Sequence, residues 1–284
     1  MYTVSVIIPV YNDSIRIELA IKSLLSQTYP DLLEIVICDN GSTDSTTQVI
    51  QKYHDMNSRL INLVYENEIQ SSYAARNKAL QIAKGDIIFF TDSDCVLDEK
   101  WIENGVKALK KEGAECGGGK ISFFFKTEIP NVYEYFDSVT YLNQKAYVEN
   151  LGFAATANFF TFKRNFIKYG YFRDDLISGG DSEFVKRITS AGGKLIYAPD
   201  AIVFHPALSS FKKILKKMIR VSVGVKKLKS LGLLTLDKIP LRRWRPTLKY
   251  PRDGYWSLKF STKEKMQLIL LSNIHKYLNI WRQV

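Results

Sequence analysis

Asp86-Ile87-Ile88-Phe89-Phe90-Thr91-Asp92-Ser93-Asp94 is an apolar run that passes without a break into two carboxylates. Its length and β-branched or aromatic content predict a buried strand with acids at its carboxyl end. Upstream the same design recurs. Val4-Ser5-Val6-Ile7-Ile8-Pro9-Val10 is a β-branched run closed by Tyr11-Asn12-Asp13, and Leu33 to Cys38 is a second, closed by Asp39-Asn40-Gly41-Ser42. A third covers Leu60 to Tyr65. Helical spacing fills the gaps: Ile15 to Gln27 aligns Ile17, Ala20, Ile21, Leu24 and Leu25, and helices are predicted over Ser45 to Tyr53, with Asp44 as cap, and over Ser72 to Ala83, closed by Gly85. Repeated βα units imply a mostly parallel twisted sheet flanked by helices. Ligands of such sheets bind at the carboxyl ends of the strands, where three polar clusters here converge.

Beyond Trp101 the pattern loosens. Gly117-Gly118-Gly119 reads as a flexible turn before a strand-like Lys120 to Phe125, and aromatic stretches surround Tyr133 to Tyr147 and Phe153 to Phe162. A helix from Ser182 to Ala191 and a short strand from Lys194 to Tyr197 follow, and the chain from Leu208 onward is basic and mainly helical.

Asp92-Ser93-Asp94 admits two readings. Hard carboxylate oxygens at an exposed strand end suit Mg²⁺ or Mn²⁺ and leave positions for diphosphate oxygens. An Asx-rich turn capping a helix over Leu97 to Leu109 would select the same residue types. The wider context favours the first. Val4 to Asn12, Asp39-Asn40-Gly41-Ser42-Thr43-Asp44, Ala75-Arg76-Asn77 with Ala83-Lys84-Gly85-Asp86, Phe89 to Asp94, and Gly179-Gly180-Asp181-Ser182-Glu183-Phe184-Val185-Lys186-Arg187 resemble, in order, the motifs of family 2 glycosyltransferases, which have the GT-A fold. The likeness spans about residues 3–206 and fades in the tail.

The resemblance implies an inverting, non-processive transfer of sugar from a nucleotide-diphosphate donor, UDP-linked by preference, to a hydroxyl on a glycan, lipid-linked or small acceptor. It implies that Pro9, Tyr11 and Asp39 border the nucleobase, and that Val10, Asn12, Arg76, Asp92 and Ser93 contribute to binding the nucleotide sugar. Asp94 would be the main ligand of Mn²⁺ or Mg²⁺, Asp92 would lie near it, and His205 stands open between third ligand and structural residue. Asp181 would deprotonate the acceptor hydroxyl, a task for which a positioned carboxylate is suited. A simple helix N-cap is its alternative role. Two positions depart from the pattern: Gly180 stands where an acid often precedes the base, and Asn40 replaces an acid after Asp39. Processive members carry Gln-x-x-Arg-Trp; here Arg243-Trp244 has Pro240 at the Gln position.

Charge divides the chain. Residues 205–284 hold 19 Lys or Arg against 3 Asp or Glu, a net +16, and residues 1–204 hold 21 against 26, a net −5. The expected domains are therefore 1–206, with a nucleotide-sugar half at 1–110 and an acceptor half at 111–206, and a basic extension at 207–284. From Leu208 to Leu234, Phe211, Ile214, Leu215, Met218, Ile219 and Val225 form one stripe, with Lys212, Lys213, Lys216, Lys217 and Arg220 largely off it. Packing on the domain and lying on an anionic bilayer both fit. Lys238 to Lys259, with Arg242, Arg243, Trp244, Arg245 and Trp256, mixes cations and aromatics as interfacial segments do. A nucleic-acid-binding tail is the competing class, although no nucleic-acid motif appears and the acidic strand ends would repel phosphates. A homo-oligomer is left open. No run of about 18 apolar residues suggests a membrane span. Cys38, Cys95 and Cys116 form no CxxC pair, and no basic leader precedes Val4. A cytoplasmic chain, with the inner face of a membrane as its peripheral surface, is the expected setting.

Overall fold

The structure is a computed structural model that describes residues 2–234, 245–253 and 259–282. Lys238, Pro240, Arg242, Arg243, Trp244 and Trp256 of the sequence reading lie outside them. The chain runs β1 (Val4–Val10), α1 (Ser14–Leu25), β2 (Leu32–Asp39), α2 (Thr46–Met56), β3 (Ile61–Tyr65), α3 (Ser72–Ile82), β4 (Ile87–Thr91), β5 (Val96–Leu97) and α4 (Trp101–Glu112). It continues β6 (Cys116–Phe124), α5 (Val132–Thr140), α6 (Gln144–Leu151), β7 (Asn158–Phe162), α7 (Arg164–Tyr169), α8 (Gly180–Ser190), β8 (Leu195–Pro206), α9 (Phe211–Ser230) and α10 (Thr262–Trp281).

One eight-stranded sheet has the order β3-β2-β1-β4-β7-β6-β8-β5. The first four of these strands are parallel, as the βα repeats predict, with Val6 against Ile35 and Phe89. β7 then pairs antiparallel with β4, setting Thr91 opposite Asn158. Chain order reverses between β1 and β4. A crevice at the carboxyl ends is expected at such a reversal.

Aromatic packing ties the parallel and antiparallel parts together. Phe89 stacks on Phe160 at 4.9 Å and meets Trp101 edge-on at 5.0 Å. Asn158 is fully buried and serves as a junction: its Oδ1 accepts from Trp101 Nε1 at 2.8 Å, and its Nδ2 donates to Lys120 O and Ala201 O at 2.8 and 2.9 Å. A buried amide leaves neither a donor nor an acceptor wasted here.

Several local expectations change. Gly117-Gly118-Gly119 is no turn but the start of β6, because side chains have no room there. A Cβ on Gly117 would stand 2.4 Å from the Phe160 ring, and one on Gly119 would stand 2.3 Å from Ala201 O. Gly85 is likewise not a helix C′ residue. Ala83 caps α3, and a Cβ on Gly85 would stand 2.4 Å from the Ser5 nitrogen, so this glycine permits close approach to β1. The short strand expected at Lys194 to Tyr197 extends through Pro199 to Pro206, carrying His205 inside β8. The helix expected from Leu97 begins at Trp101, after a two-residue β5.

Two compact units emerge. The first comprises Met1–Ser122, Gln144–Leu176 and Gly180–His205, and the second Phe123–Asn143, Ile177–Gly179 and Pro206–Val284. The second unit has its own core, in which Val132, Tyr135 and Phe136 of α5 meet Ile214 and Met218 of α9 and Leu268 and Leu271 of α10. Within it, Lys217 Nζ pairs with the buried Asp137 at 2.7 Å. A buried charge of this kind requires a partner, and Leu208 N–H supplies a further bond to the same carboxylate at 3.0 Å. No helix among the described residues is long and apolar enough to cross a membrane.

Candidate active site

The site lies in the first unit, at the ends of β1, β2 and β4, and each cluster is built by its own local chemistry. After β1, Asn12 takes a positive φ of 49°. That turn aims its Oδ1 at the loop after β2, where it accepts from Thr43 N at 2.8 Å and Asp44 N at 3.3 Å. Asp39 is buried, with Ser42 N donating to Oδ1 at 3.0 Å and the Thr47 hydroxyl donating to Oδ2. Asp44 accepts from Thr46 N at 2.9 Å, one residue outside the Ser45 N-cap position. Pro9 and Val10 are buried within β1, whereas Tyr11 is half exposed.

Asn40 shows why an acid is absent there. Its Nδ2 donates to Glu66 O and Ile69 O, both at 2.8 Å, and its Oδ1 accepts from Gln70. A carboxylate has no proton for the two carbonyls. Gly180 has a similar explanation, since a Cβ there would stand 2.9 Å from the Tyr73 ring.

Asp92, Ser93 and Asp94 each have a different partner. Arg76, 3% exposed on α3, donates through one terminal nitrogen to Asp92 Oδ1 at 2.5 Å, and through the other to Ser72 O at 3.3 Å. Ser93 Oγ donates to Asp13 Oδ2 at 2.8 Å. Asp94 Oδ2 accepts from Arg16 at 3.1 Å, while Asp94 Oδ1 faces His205 Nε2 at 3.7 Å. The tripeptide caps no helix: Asp98, not Asp94, receives the N–H of Lys100 ahead of α4. Burial pushes the Asp94 carboxyl up, and His205 opposes that rise, with Asp92 adding to it and Arg16 reducing it.

Asp94, Cys95 and His205 bring one ligand atom each within 4.8 Å of one another. Two donors bound at about 2.1 Å to one ion lie no more than about 4.2 Å apart, so the 3.7 Å separation of Asp94 and His205 suits a shared divalent cation. Cys95 suits it less. Its sulfur is a soft donor, a poor match for a hard ion that prefers oxygen. Asp92 is not one of these three residues, and its Oδ1 is engaged by Arg76.

Asp181 stands in the first turn of α8. Ser182 N donates to its Oδ1 at 2.9 Å, the Tyr73 hydroxyl to the same oxygen at 3.4 Å, and Thr156 N to Oδ2 at 3.4 Å. Tyr73 is itself fixed by the Gly180 N–H, which donates to its hydroxyl at 3.0 Å. Phe184, one turn along α8, stacks on Phe166 at 4.3 Å and so seats the helix. Burial raises the Asp181 carboxyl above its ordinary value, while the Ser182 N–H and the Arg76 charge restrain the rise. Arg76 therefore acts on both Asp92 and Asp181, and the four charged groups Asp94, Asp92, Arg76 and Asp181 form one electrostatic neighbourhood.

Sequence reasoning placed Asp13 in a strand-end cluster without a role of its own, and missed Arg16, Tyr73 and Thr156. The Asp13–Arg16 pair carried a signal, opposite charges three apart at a helix start, whereas Tyr73 and Thr156 meet Asp181 only through the fold.

The sequence profile of glycosyl transferase family 2 matches residues 5–170. Glycosyltransferase AglE of Haloferax volcanii is 37% identical over 244 residues, covering 84% of this chain and 77% of that protein. The UDP-Glc:alpha-D-GlcNAc-diphosphoundecaprenol beta-1,3-glucosyltransferase WfaP of Escherichia coli is 42% identical over 112 residues, which are 39% of this chain and 43% of that one. Among solved structures, mannosyltransferase PcManGT from Pyrobaculum calidifontis, in complex with GDP-Man and Mn²⁺, superposes with a TM-score of 0.63 at 20% identity, covering 99% of this chain and 72% of that chain. Likeness at that identity speaks for the fold, which is GT-A.

Proposed function

The chain belongs to glycosyl transferase family 2 and is a glycosyltransferase, and from that premise we propose that it is inverting and non-processive, with Asp181 as the base. The observation that carries this reading is the chain of contacts in which Arg76 donates to Asp92 and lies over the Tyr73 ring at 5.7 Å, while the Tyr73 hydroxyl donates to Asp181 at 3.4 Å. It supports a donor diphosphate near Asp92 and Asp94 and an acceptor hydroxyl at Asp181. Asp181 then takes the hydroxyl proton as the oxygen attacks the anomeric carbon from the side opposite the diphosphate. The family membership and the acidic first unit disfavour the nucleic-acid-binding alternative, whose support is the charge of the basic residues beyond 206.

Asp94 and His205 would hold Mg²⁺ or Mn²⁺, with Asp92 nearby. The ion, when bound, neutralises charge that develops on the leaving diphosphate. Pro9, Tyr11 and Asp39 would border the base, and Val10, Asn12, Arg76 and Ser93 would contribute to binding the nucleotide sugar. For Asn12 and Asp39 the role is partly indirect, since their oxygens already shape the loop after β2. UDP is the favoured donor nucleotide, in keeping with the UDP-Glc named for WfaP, although PcManGT was solved with GDP-Man. The diphosphoundecaprenol in the name of WfaP supports a lipid-linked acceptor. An acceptor of that kind favours the anionic bilayer surface as the partner of the basic residues beyond 206.

The test is a thermal-shift screen of the full chain against UDP-, GDP- and dTDP-sugars with Mn²⁺, followed by transfer assays. Asp181→Asn is expected to keep donor binding and lose about 10²- to 10⁴-fold in turnover. Asp94→Ala is expected to abolish the Mn²⁺-dependent part of donor binding. Near-normal turnover by Asp181→Asn would remove the base assignment.

A further inference from the structure

Arg16 belongs to none of the motifs above, yet its guanidinium joins the loop after β1 to the acid after β4. Its Nε donates to Asp13 Oδ1 at 2.7 Å, and a terminal nitrogen donates to Asp94 Oδ2 at 3.1 Å. The anchor is itself rigid. Asp13 is buried, its other oxygen accepts from Ser93 Oγ at 2.8 Å, and its N–H donates to the Thr46 hydroxyl at 2.7 Å. The Asp94 carboxylate is thereby divided, with Oδ2 held by Arg16 and Oδ1 left facing His205 Nε2 at 3.7 Å.

We propose that Arg16 is a specificity-determining residue for the cation: by occupying one oxygen of Asp94 it restricts that carboxylate to single-oxygen ligation and so disfavours Ca²⁺. The proposal rests on the reading of Asp94 and His205 as metal ligands. Ca²⁺ takes six to eight oxygens and readily uses both oxygens of a carboxylate, whereas a small octahedral ion such as Mg²⁺ takes one and keeps several waters. A planar guanidinium with donors fixed in a fork can hold Asp13 and Asp94 together, which a flexible ammonium does not do in the same way. Its charge also offsets part of the negative field of Asp13, Asp92 and Asp94, a field that would otherwise attract any divalent cation. Arg16 positions Asp94 and touches no reacting atom.

The experiment measures dissociation constants of Ca²⁺ and Mn²⁺ for the full chain without donor, by calorimetry, in the parent protein and in Arg16→Gln. Arg16 is half-exposed, so folding is expected to survive; Arg16→Met, which keeps the aliphatic stem, is the second variant, and thermal melts check both. Ca²⁺ binding is expected to tighten about tenfold in both variants and Mn²⁺ binding by no more than about threefold, as an added oxygen ligand matters more to the larger ion. Equal tightening of both ions would reduce Arg16 to a simple counter-charge and overturn the proposal. Unchanged constants for both ions would overturn it too. Asp94→Asn, measured alongside, separates the two levels of the argument. If it abolishes Mn²⁺ binding while Arg16→Gln changes neither ion, the Arg16 proposal fails alone; if it leaves Mn²⁺ binding intact, the metal-site reading has failed.

Discussion

Asp181 carries opposing demands that its neighbours reconcile. A base must be ionised at working pH, and burial favours the neutral acid. Ser182 N–H, the Arg76 guanidinium and Thr156 N–H work against burial. Because the folded-state carboxyl is raised, the proton is held more tightly in the folded chain. The associated stability is present at low pH and is lost as pH rises through the folded value. Asp181→Asn is therefore expected to melt higher than the parent at neutral pH, while losing turnover. Replacing Arg76 with Met removes one restraint, so the acidic limb of the kcat profile is expected to move to higher pH. Arg76→Lys, which keeps the charge, should leave it near its place. kcat is the parameter to follow, since its profile reports groups in the substrate complex, whereas loss of the Arg76–Asp92 bond will also weaken donor binding. An acidic limb unmoved by Arg76→Met would show that Arg76 does not tune this base.

At the scale of elements, legibility in the sequence followed locality. β1, β2, β4 and the helices between them announce themselves through short apolar runs and helical spacing, and the structure shifts their ends by only a few residues. Asp92 and Asp94 were legible for the same reason, being attached to a strand whose end is fixed by its own pattern. The antiparallel half was harder to read, since its strands depend on distant partners. Three consecutive glycines look like a turn until Phe160, Asn158 and Ala201 are placed against them. β8 runs through a proline that ordinarily argues against a strand. Arg16 and Tyr73 lie on helices whose sequence shows no reason for a polar contact across the sheet ends; tertiary placement alone supplies it. The glycine reading can be checked directly. Gly119→Ala drives a methyl against the Ala201 carbonyl and the Asn158 amide, the junction that binds β6, β7 and β8. Overpacking of this kind costs about 1–3 kcal/mol, so urea midpoints should fall accordingly. Gly113→Ala meets nothing within 4 Å and tests instead the strain of a φ of 56°, with a cost expected nearer 1 kcal/mol, the scale of a lost glycine cap. A Gly119→Ala loss smaller than that of Gly113→Ala would argue that β6 is not tightly packed at Gly119.

At the scale of the whole molecule, the separation of charge has a structural counterpart in the second unit. α9 buries Ile214, Met218, Ser222, Gly224 and Leu228, and Lys217 turns inward to pair with Asp137. The sequence stripe is thus split. Ile214 and Met218 face the core, whereas Phe211 and Ile219 remain exposed and Leu215 and Val225 are half-buried. Exposed Ile219 and Val223 share their side of the helix with Lys212, Lys216, Arg220, Lys226 and Lys227, and α9 contains no acid at all. Lys226 also rests over the exposed ring of Trp281 at 4.5 Å. A few apolar side chains rimmed by cations form the pattern of a helix lying in a headgroup layer, with the lysine stems spanning to lipid phosphates. Each basic residue near an anionic surface contributes about 1 kcal/mol, and salt screens that attraction within a Debye length. The full chain should therefore cosediment with phosphatidylglycerol vesicles in low salt, bind pure phosphatidylcholine weakly, and release as salt rises. Lys212→Glu, Lys216→Glu and Arg220→Glu together should lower vesicle affinity by at least about tenfold, since three attractive charges become repulsive. Transfer to a short water-soluble acceptor should stay near the parent rate, because none of the three lies in the first unit. Binding that ignored both lipid charge and salt would leave α9 as a packed surface helix, and its lysines as no more than a solvated face.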